Sequence, residues 1–494
     1  MINNHAIRLF LANNARGGKT AIVDKNISLT FAELSRFSRS FATQLKQLGL
    51  LPQSRVLFYF DDSAEWVVAF LGCLLAGLNP VGVDFRTNQD QLNKIIDLVD
   101  ARAVISDQPI NNHTISVIAR NRILDIFDPI RDDQCYDFHP DEFCFWYSTS
   151  GTTGRPKSVV HRHDSFANHG TISKDIWNID EQSRLLNGSK LSFAYGIYPV
   201  FMMGLPRGAT IYLLDGVPAP SRIFDHVNKF GISHLFLVPG VVNALIKHAH
   251  IGADRFGPDL QCVVSSGESL PPLLIQNFND QFGIKIRNSF GTTECSAMTF
   301  TPMLDNYEID SMGSVMPGHE VKLLDENQKP VSDGTPGELW IKCNSMACCY
   351  WKDSQWSRHS FVGQWFRTGD IVVKTTSNNY KHISRIDDFI KINGQWVAAT
   401  EIESSLQQVQ GIDDAAVIFE VAKDALPKIH AFVVTKDKSI DKLHVERILM
   451  DRLPSYKMPK HYHFIDNIPR TLTNKKMKYM LSNRISEIIA KEVA

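Results

Sequence analysis

No two cysteines in this sequence stand at C-x-x-C spacing, although it has eight of them: Cys73, Cys135, Cys144, Cys262, Cys295, Cys343, Cys348 and Cys349. A chain of 494 residues buries enough surface to fold without staples. Scattered thiols therefore point to a reduced, cytoplasmic setting rather than to a disulfide framework. Net charge is also missing: 52 Lys and Arg against 53 Asp and Glu leave −1. That removes the electrostatic case for nucleic acid or an anionic membrane as partner. No apolar run is long enough to span a bilayer. The longest, Trp66 to Leu78, follows Asp61, Asp62 and Glu65, as the start of a buried helix would. The opening MINNHAIRLF lacks the basic-then-apolar layout of a secretory signal. There is no internal repeat and no low-complexity segment. What remains is a globular chain with no membrane insertion and, by length, roughly two to four domains.

What the sequence does have is alternation. Thr30-Phe31-Ala32-Glu33 forms a capping box ahead of apolar periodicity that runs to about Leu48. Strand-like Arg55–Phe60, helix-like 64–76, strand-like Val81–Asp84, helix-like Gln89–Val99 and strand-like Ala101–Ser106 follow. The same pattern returns over 209–270 in ATIYLL, ISHLFLV and LQCVVSS. Such alternation predicts an α/β fold with parallel strands joined by crossover helices. Near residue 384 the texture changes to the charge-dense SRIDDFIKING. After it come a helix pattern (400–409), strands AAVIFEV and HAFVVT, another helix (440–453) and a Lys-rich end. The expected division is a large domain over 1–384 and a small α+β domain over 385–494.

The most informative segment follows the strand-like FCFWY: Ser148-Thr149-Ser150-Gly151-Thr152-Thr153-Gly154-Arg155-Pro156-Lys157. Hydroxyls and backbone N–H groups can cradle phosphate oxygens, glycine permits close approach, and Lys157 adds charge. Against the pattern GxxxxGK[ST], Lys157 and Ser158 fall in place, but Pro156 stands where the second glycine belongs. Proline donates no N–H, so this is a phosphate loop but not a Walker loop.

YSTSGTTGRPKSVVH resembles the signature loop of the adenylate-forming superfamily, which includes acyl- and aryl-CoA synthetases, peptide-synthetase adenylation domains and beetle luciferases. Four further motifs stand in order. Asn288-Ser289-Phe290-Gly291-Thr292-Thr293-Glu294 resembles the aromatic-Gly-x-Thr-Glu motif. The resemblance implies that Phe290 stacks on adenine, Thr293 contacts the α-phosphate, and Glu294 helps to hold Mg²⁺, an ion that favours carboxylate and phosphate oxygens. Gly267, Glu268 and Ser269 fall among the implied nucleotide contacts. Trp365-Phe366-Arg367-Thr368-Gly369-Asp370 resembles the family's Tyr-Arg-Thr-Gly-Asp, with Asp370 accepting from the ribose hydroxyls. Ser384-Arg385-Ile386-Asp387-Asp388 resembles the hinge motif, with Ser384 in place of glycine. It implies that Arg385 meets the nucleotide and that the small domain turns about Asp387. Gly394 and Trp396 would then line the thiol channel. Pro469-Arg470-Thr471-Leu472-Thr473-Asn474-Lys475 resembles the C-terminal loop that carries the catalytic lysine, here Lys475. Asn474 replaces a glycine there, and asparagine tolerates left-handed backbone well. Lys476 and Lys478 stand close by.

Phe193-Ala194-Tyr195-Gly196, with Ser266 and with Gly394-Gln395-Trp396-Val397, looks like the benzoate-CoA ligase subgroup, in which the FAYG segment lines the acid pocket. No carboxylate stands there to pair a substrate ammonium, and leaving one unpaired is costly, so an α-amino acid is disfavoured. Ala297 stands where benzoate-specific members tend to have histidine, which makes room in the pocket. The resemblance therefore implies activation of a substituted benzoate, a cinnamate-like or a medium-chain acid by ATP and Mg²⁺, with transfer to coenzyme A. A carrier-protein phosphopantetheine in place of coenzyme A shares every motif. A non-catalytic homologue is disfavoured because Lys475, Glu294 and Asp370 are all present. The pairs His161/His163, His248/His250 and His461/His463 lack further ligands at metal spacing. The oligomeric state stays open between monomer and homodimer.

Overall fold

The structure, a computed structural model, describes residues 4–111, 115–149, 157–166, 169–251, 255–392, 395–420, 427–437, 439–470, 476–483 and 485. Two seven-stranded sheets dominate it. The first runs in the order Ile286–Asn288, Cys262–Ser265, His234–Leu237, Arg184–Asn187, Thr210–Leu213, Thr20–Val23 and Ser28–Thr30, parallel except for the last pair. The second runs Cys349–Tyr350, Lys157–Arg162, Phe143–Thr149, Asn79–Gly82, Arg55–Tyr59, Ala101–Ser106 and Ser116–Ala119, with only its first two pairings antiparallel. The expected parallel-rich α/β fold is what forms.

The elements form for the reasons their sequences suggest. Helix Phe31–Gln47 starts at the expected capping box, with Glu33 N–H donating to Thr30 Oγ1 (3.2 Å) and Thr30 N–H to Glu33 Oε2 (2.9 Å). Helix Ala64–Ala76 is apolar on nearly every face, so it is buried on nearly every face. It ends at Gly77, whose φ of 79° suits a residue without a Cβ. The two helices touch closely at Gly72, where a Cβ would meet Phe41 Cδ1 at 2.9 Å and Ser38 O at 3.0 Å. One apolar core joins both helices with both sheets, through Ile22, Leu185 and Ile211 of the first and Val56, Phe58 and Phe145 of the second. The strand expected at Val81–Asp84 is instead Asn79–Gly82. Pairing begins before Pro80 because the Asn79 N–H donates to Ser54 O (2.9 Å), so the proline does not break the strand.

Beyond these sheets lies an antiparallel one, His319–Leu324, Gly337–Cys343, Trp365–Lys374 and Tyr380–Arg385, with Phe361–Val362 on Trp365–Lys374. After a one-turn 3₁₀ segment, Ile386–Asp388, the ribbon Phe389–Ile392/Gln395–Ala398 opens a separate apolar cluster. That cluster joins helices Ala399–Gln407 and Lys442–Met450 to the sheet Ile412–Glu420, Lys428–Thr435 and His461–Phe464. Among the described residues no helix is long and apolar enough to cross a membrane.

Candidate functional site

Parallel strands gather the motif residues at their carboxyl ends, where open α/β sheets hold ligands. Phe143–Thr149 delivers Ser148 and Thr149, and Cys262–Ser265 delivers Ser266 and Gly267. Ile286–Asn288 delivers Asn288, and Ser289 leads into the short strand Phe290–Thr292.

At the phosphate loop, the returning strand Lys157–Arg162 pairs Lys157 opposite Thr149 and Ser158 opposite Ser148. Ser150, Gly151, Thr152 and Thr153 lie outside the described residues. Ser148 Oγ is buried with no hydrogen-bond partner among the described residues. Lys157 Nζ lies 3.9 Å from the ring centroid of Trp356 and 5.1 Å from that of Tyr350. Burial lowers its pKa, and the nearby Glu294 carboxylate opposes that.

Glu294 belongs to a 3₁₀ turn, Thr293–Cys295, capped by Thr292 Oγ1, which accepts from Cys295 N–H at 3.2 Å. The turn ends on Ser296 at φ 51°. Three neighbours fix it. His161 Nε2, on the returning strand, sits 2.9 Å from Thr293 O. Ala347 N–H donates to Glu294 O (2.7 Å). Tyr350 OH donates to Glu294 Oε1 (2.7 Å). Oε2 has no partner among the described residues. A carboxylate oxygen without a protein partner suits a magnesium ion that also binds a phosphate group. No three His, Cys, Asp or Glu side chains converge as a self-contained metal site among the described residues. Glu294 would therefore share such an ion with the nucleotide.

Asp370 lies in the antiparallel sheet directly opposite Arg385. It is 5 % exposed. Arg385 Nη1 donates to its Oδ2 (2.9 Å) and to Thr368 O (2.8 Å), and His382 Nε2 sits 3.0 Å from its Oδ1. Burial pushes the Asp370 carboxyl up, but the His382 hydrogen bond and the Arg385 charge outweigh it and hold it below the usual carboxylate value. The Phe290 ring stacks loosely on His382, 6.1 Å between centroids. Phe290, Asp370 and Arg385, predicted from three separate motifs, thus meet on one wall.

Beside that wall is a cavity of about 210 Å³ lined by Phe193, Ala194, Tyr195, Tyr198, Ser189 and Met298 on one side. Ser266, Gly267, Glu268, Gly291, Thr292 and Thr293 close the other. FAYG starts a helix, Ala194–Ile197, that continues as a π-helical turn, Tyr198–Gly204. Position 196 admits only glycine, because a Cβ there would stand 2.0 Å from Lys190 O. The Tyr195 hydroxyl is committed to Val264 O (3.0 Å). The hydroxyls of Ser189, Tyr198 and Ser266 have no partner among the described residues. Ala297 opens the strand Ala297–Thr301, whose Met298 lines the cavity. Ser269 follows Glu268 in the loop before helix Pro272–Phe282.

The remaining predicted residues surround the turn Ile386–Asp388. Asp387 is its middle residue. Buried Ser384 donates from Oγ to Asp388 O (3.0 Å), across the turn. Lys478 Nζ pairs with Asp388 (3.0 Å) and Glu403 (2.8 Å), and Lys476 Nζ with Glu403 (2.9 Å). Both of the lysines next to the predicted catalytic one are therefore engaged. Lys475 and Gly394 lie outside the described residues. Trp396 is exposed and stacked on Phe389, 4.6 Å between centroids, and it does not line the cavity. His161 and His163 are buried, as core histidines are.

Tyr350 and His382 carry no sequence signal of the kind used above. Tyr350 was legible only as an aromatic in CCYW. His382 reaches Asp370 because the ladder shifts register between Ile371 and Val372, which alternation along a strand does not forecast.

The AMP-binding enzyme family model matches residues 9–351, and the model of the AMP-binding enzyme C-terminal domain matches 401–475. The 3-hydroxybenzoate–CoA/4-hydroxybenzoate–CoA ligase of Thauera aromatica is 30% identical, across 95% of this chain and 94% of that protein. The benzoate–CoA ligase of the same organism is 28% identical, across 94% and 93%. Among solved structures, a benzoate CoA ligase from Burkholderia xenovorans LB400 superposes with a TM-score of 0.83 at 28% identity, covering 97% of this chain and 99% of that one. An anthranilate CoA ligase in complex with anthranoyl-AMP gives 0.84 at 25%, covering 98% and 97%.

Proposed function

The chain belongs to the AMP-binding enzyme family, and from that premise we propose that it is an ATP- and Mg²⁺-dependent acid–thiol ligase for an aromatic carboxylic acid. It activates the acid as its acyl-AMP, releases pyrophosphate, and passes the acyl group to the thiol of coenzyme A. The observation that carries this reading is the continuity of the site. One cavity runs from aromatic and hydroxyl walls at Tyr195 and Tyr198 to Thr292 and Thr293, next to Glu294. An acid seated ring-first presents its carboxylate at the phosphate end. The three unpartnered hydroxyls favour a ring with a polar substituent over an alkyl chain, since an unmet hydrogen bond in a closed site is costly. The relatives named for hydroxybenzoates and anthranilate point the same way.

In adenylation the carboxylate attacks the α-phosphorus in line, and positioning with charge neutralisation supplies most of the rate. Ser148 to Thr153 and Lys157 cradle the phosphates, Thr293 faces the α-phosphate, and Phe290 and Asp370 hold the adenosine. Mg²⁺ at Glu294 supplies neutralising charge when bound. Residues 385–494 act as a small domain that turns about Asp387 against residues 1–384. Lys475 serves the first half-reaction, and the Gly394–Trp396 side admits the thiol in the second. The engagement of Lys476 and Lys478 with carboxylates supports Lys475, rather than either of them, as the catalytic lysine. Lys475→Ala should slow adenylation by about 10²–10³-fold, the usual cost of losing one transition-state charge contact. Thiolation of pre-made acyl-AMP should stay near normal, and equal loss of both would remove the assignment.

The deciding test is mass-spectrometric product analysis with ATP, Mg²⁺ and a panel of aryl and medium-chain acids, with and without coenzyme A. Aryl-CoA from a substituted benzoate supports the proposal. Acyl-AMP that accumulates and ignores coenzyme A would move the acceptor to a carrier protein. No acyl-AMP from any acid would sink the reading.

A further inference from the structure

Glu294 and Lys157 are opposite charges on neighbouring elements, close enough for the Glu294 carboxylate to favour the charged form of Lys157. A salt bridge between the two would commit both charges to each other. None has formed: Lys157 makes no ion pair among the described residues. Its ammonium rests on two aromatic faces, Trp356 at 3.9 Å and Tyr350 at 5.1 Å, while the Tyr350 hydroxyl holds Glu294 Oε1 at 2.7 Å. One residue therefore contacts both charges, by its hydroxyl and by its ring.

We infer that Tyr350 is a positioning residue for nucleotide binding: its hydroxyl aims Glu294 and its ring, with Trp356, seats Lys157, which keeps the two charges apart and available to a magnesium nucleotide. This rests on the proposed function above. Tyr350 is built for the task. It is 6 % exposed, and its backbone pairs with Val159 on the strand that begins at Lys157. Its N–H donates to Ser357 Oγ (3.0 Å), and its ring packs on Phe361, 5.4 Å between centroids. Ala347, three residues earlier, holds the Glu294 carbonyl. The segment 347–356 thus grips Glu294 at backbone and side chain and cradles Lys157 from the other side. A cation over an aromatic face is attracted without being neutralised, so the seat can release Lys157 to a phosphate. A carboxylate in place of the rings would compete with the ligand.

The test is calorimetric titration of the whole protein with ATP, once with Mg²⁺ and once with EDTA, and with no acid present. Tyr350→Phe removes only the hydroxyl. It should erase about tenfold of the Mg²⁺-dependent gain in ATP affinity, the order expected for a hydrogen bond to a charged group. Its ATP affinity in EDTA should stay within about twofold of wild type, because the ring stays under Lys157. Trp356→Leu, at a half-exposed position, should weaken ATP binding by a similar factor with and without Mg²⁺, since it disturbs Lys157 and not Glu294. An unchanged Mg²⁺ dependence in Tyr350→Phe would overturn the hydroxyl's role. Unchanged ATP affinity in Trp356→Leu would overturn the seat, and this arm decides alone if Tyr350→Phe does not fold. No acid enters the titration, so the outcome is independent of whether the acid panel succeeds.

Discussion

The wall of Phe290, Asp370 and Arg385 and the cavity of Tyr195 and Tyr198 meet near Gly291–Thr293, yet their polar groups are handled in opposite ways. On the wall every described charged group already has a protein partner: Asp370 has Arg385 and His382, Glu294 has Tyr350, and Lys157 has two rings. In the cavity, Ser189, Tyr198 and Ser266 keep hydroxyls without one. The difference follows from what each must do. A charge in a half-buried site needs partners to stay ionised and in place before the ligand arrives. A hydroxyl is cheaper to leave waiting, and its unmet demand then discriminates between ligands. On the proposed function, the wall would serve affinity to a constant ligand, and the cavity choice among variable ones.

The largest test of this contrast is Asp370→Asn. It keeps the shape but leaves the Arg385 guanidinium without its anion. Breaking a buried pair costs about 3–5 kcal/mol, but Arg385 is 41 % exposed, so solvent screening should reduce this to about 1–3 kcal/mol. Urea unfolding would measure it, and ATP affinity should fall in parallel. The pH dependence has a definite sign. Because the folded Asp370 carboxyl is held below its ordinary value, its contribution is fully present above the unfolded pKa of about 4. It is lost as pH falls through the folded value. Asp370→Asn should therefore flatten the acid limb of the stability curve, and an unaltered limb would show that the pair contributes little.

The cavity gives an intermediate effect. Tyr198→Phe removes one of the waiting hydroxyls and little else, since its ring contact with His169 and its place in the core remain. If that hydroxyl reads a ring substituent, kcat/KM for the preferred hydroxylated or aminated benzoate should fall about tenfold relative to benzoate. The KM for ATP should stay unchanged. Selectivity identical to wild type would mean that the hydroxyl faces water in the complex and that Ser189 or Ser266 does the reading.

The same contrast explains what could be read from the sequence. Periodicity and the Thr30–Glu33 capping box are local, so a parallel-rich α/β fold with crossover helices was legible, though not its division into two seven-stranded sheets. Ser148, Phe290, Asp370 and Arg385 could be singled out because each sits in a motif whose chemistry needs its type, and the last three meet on one wall. Tyr350 and His382 were not. Their roles come from pairings across the chain, Tyr350 opposite Val159 and His382 beside a register shift at Ile371/Val372. Nor was Tyr198 legible as a cavity residue, because the helix begun by Ala194–Ile197 widens into a π turn that sets which side chains face inward.

The smallest expected effect asks where the organised wall ends. Ser384, in the place of the resembling motif's glycine, donates across the turn Ile386–Asp388 to Asp388 O. Lys478 holds the Asp388 carboxylate from the far side. If Asp387 is the pivot, residues on both sides of it are fastened and the bending is confined to one turn, with the Ser384 hydroxyl strapping that turn shut. A neutral hydrogen bond contributes about 1 kcal/mol, or about fivefold in an opening equilibrium. Ser384→Ala should therefore raise hydrogen exchange in a peptide spanning 384–392 by about fivefold. Exchange in the sheet around Asp370 should not change, because local opening is read segment by segment. Faster exchange throughout both segments would mean that Ser384 supports the wall itself, and that the organised wall extends beyond Arg385. Unchanged exchange in both would leave Lys478 as the group that holds the turn, and Lys478→Met would then produce the local effect that Ser384→Ala did not.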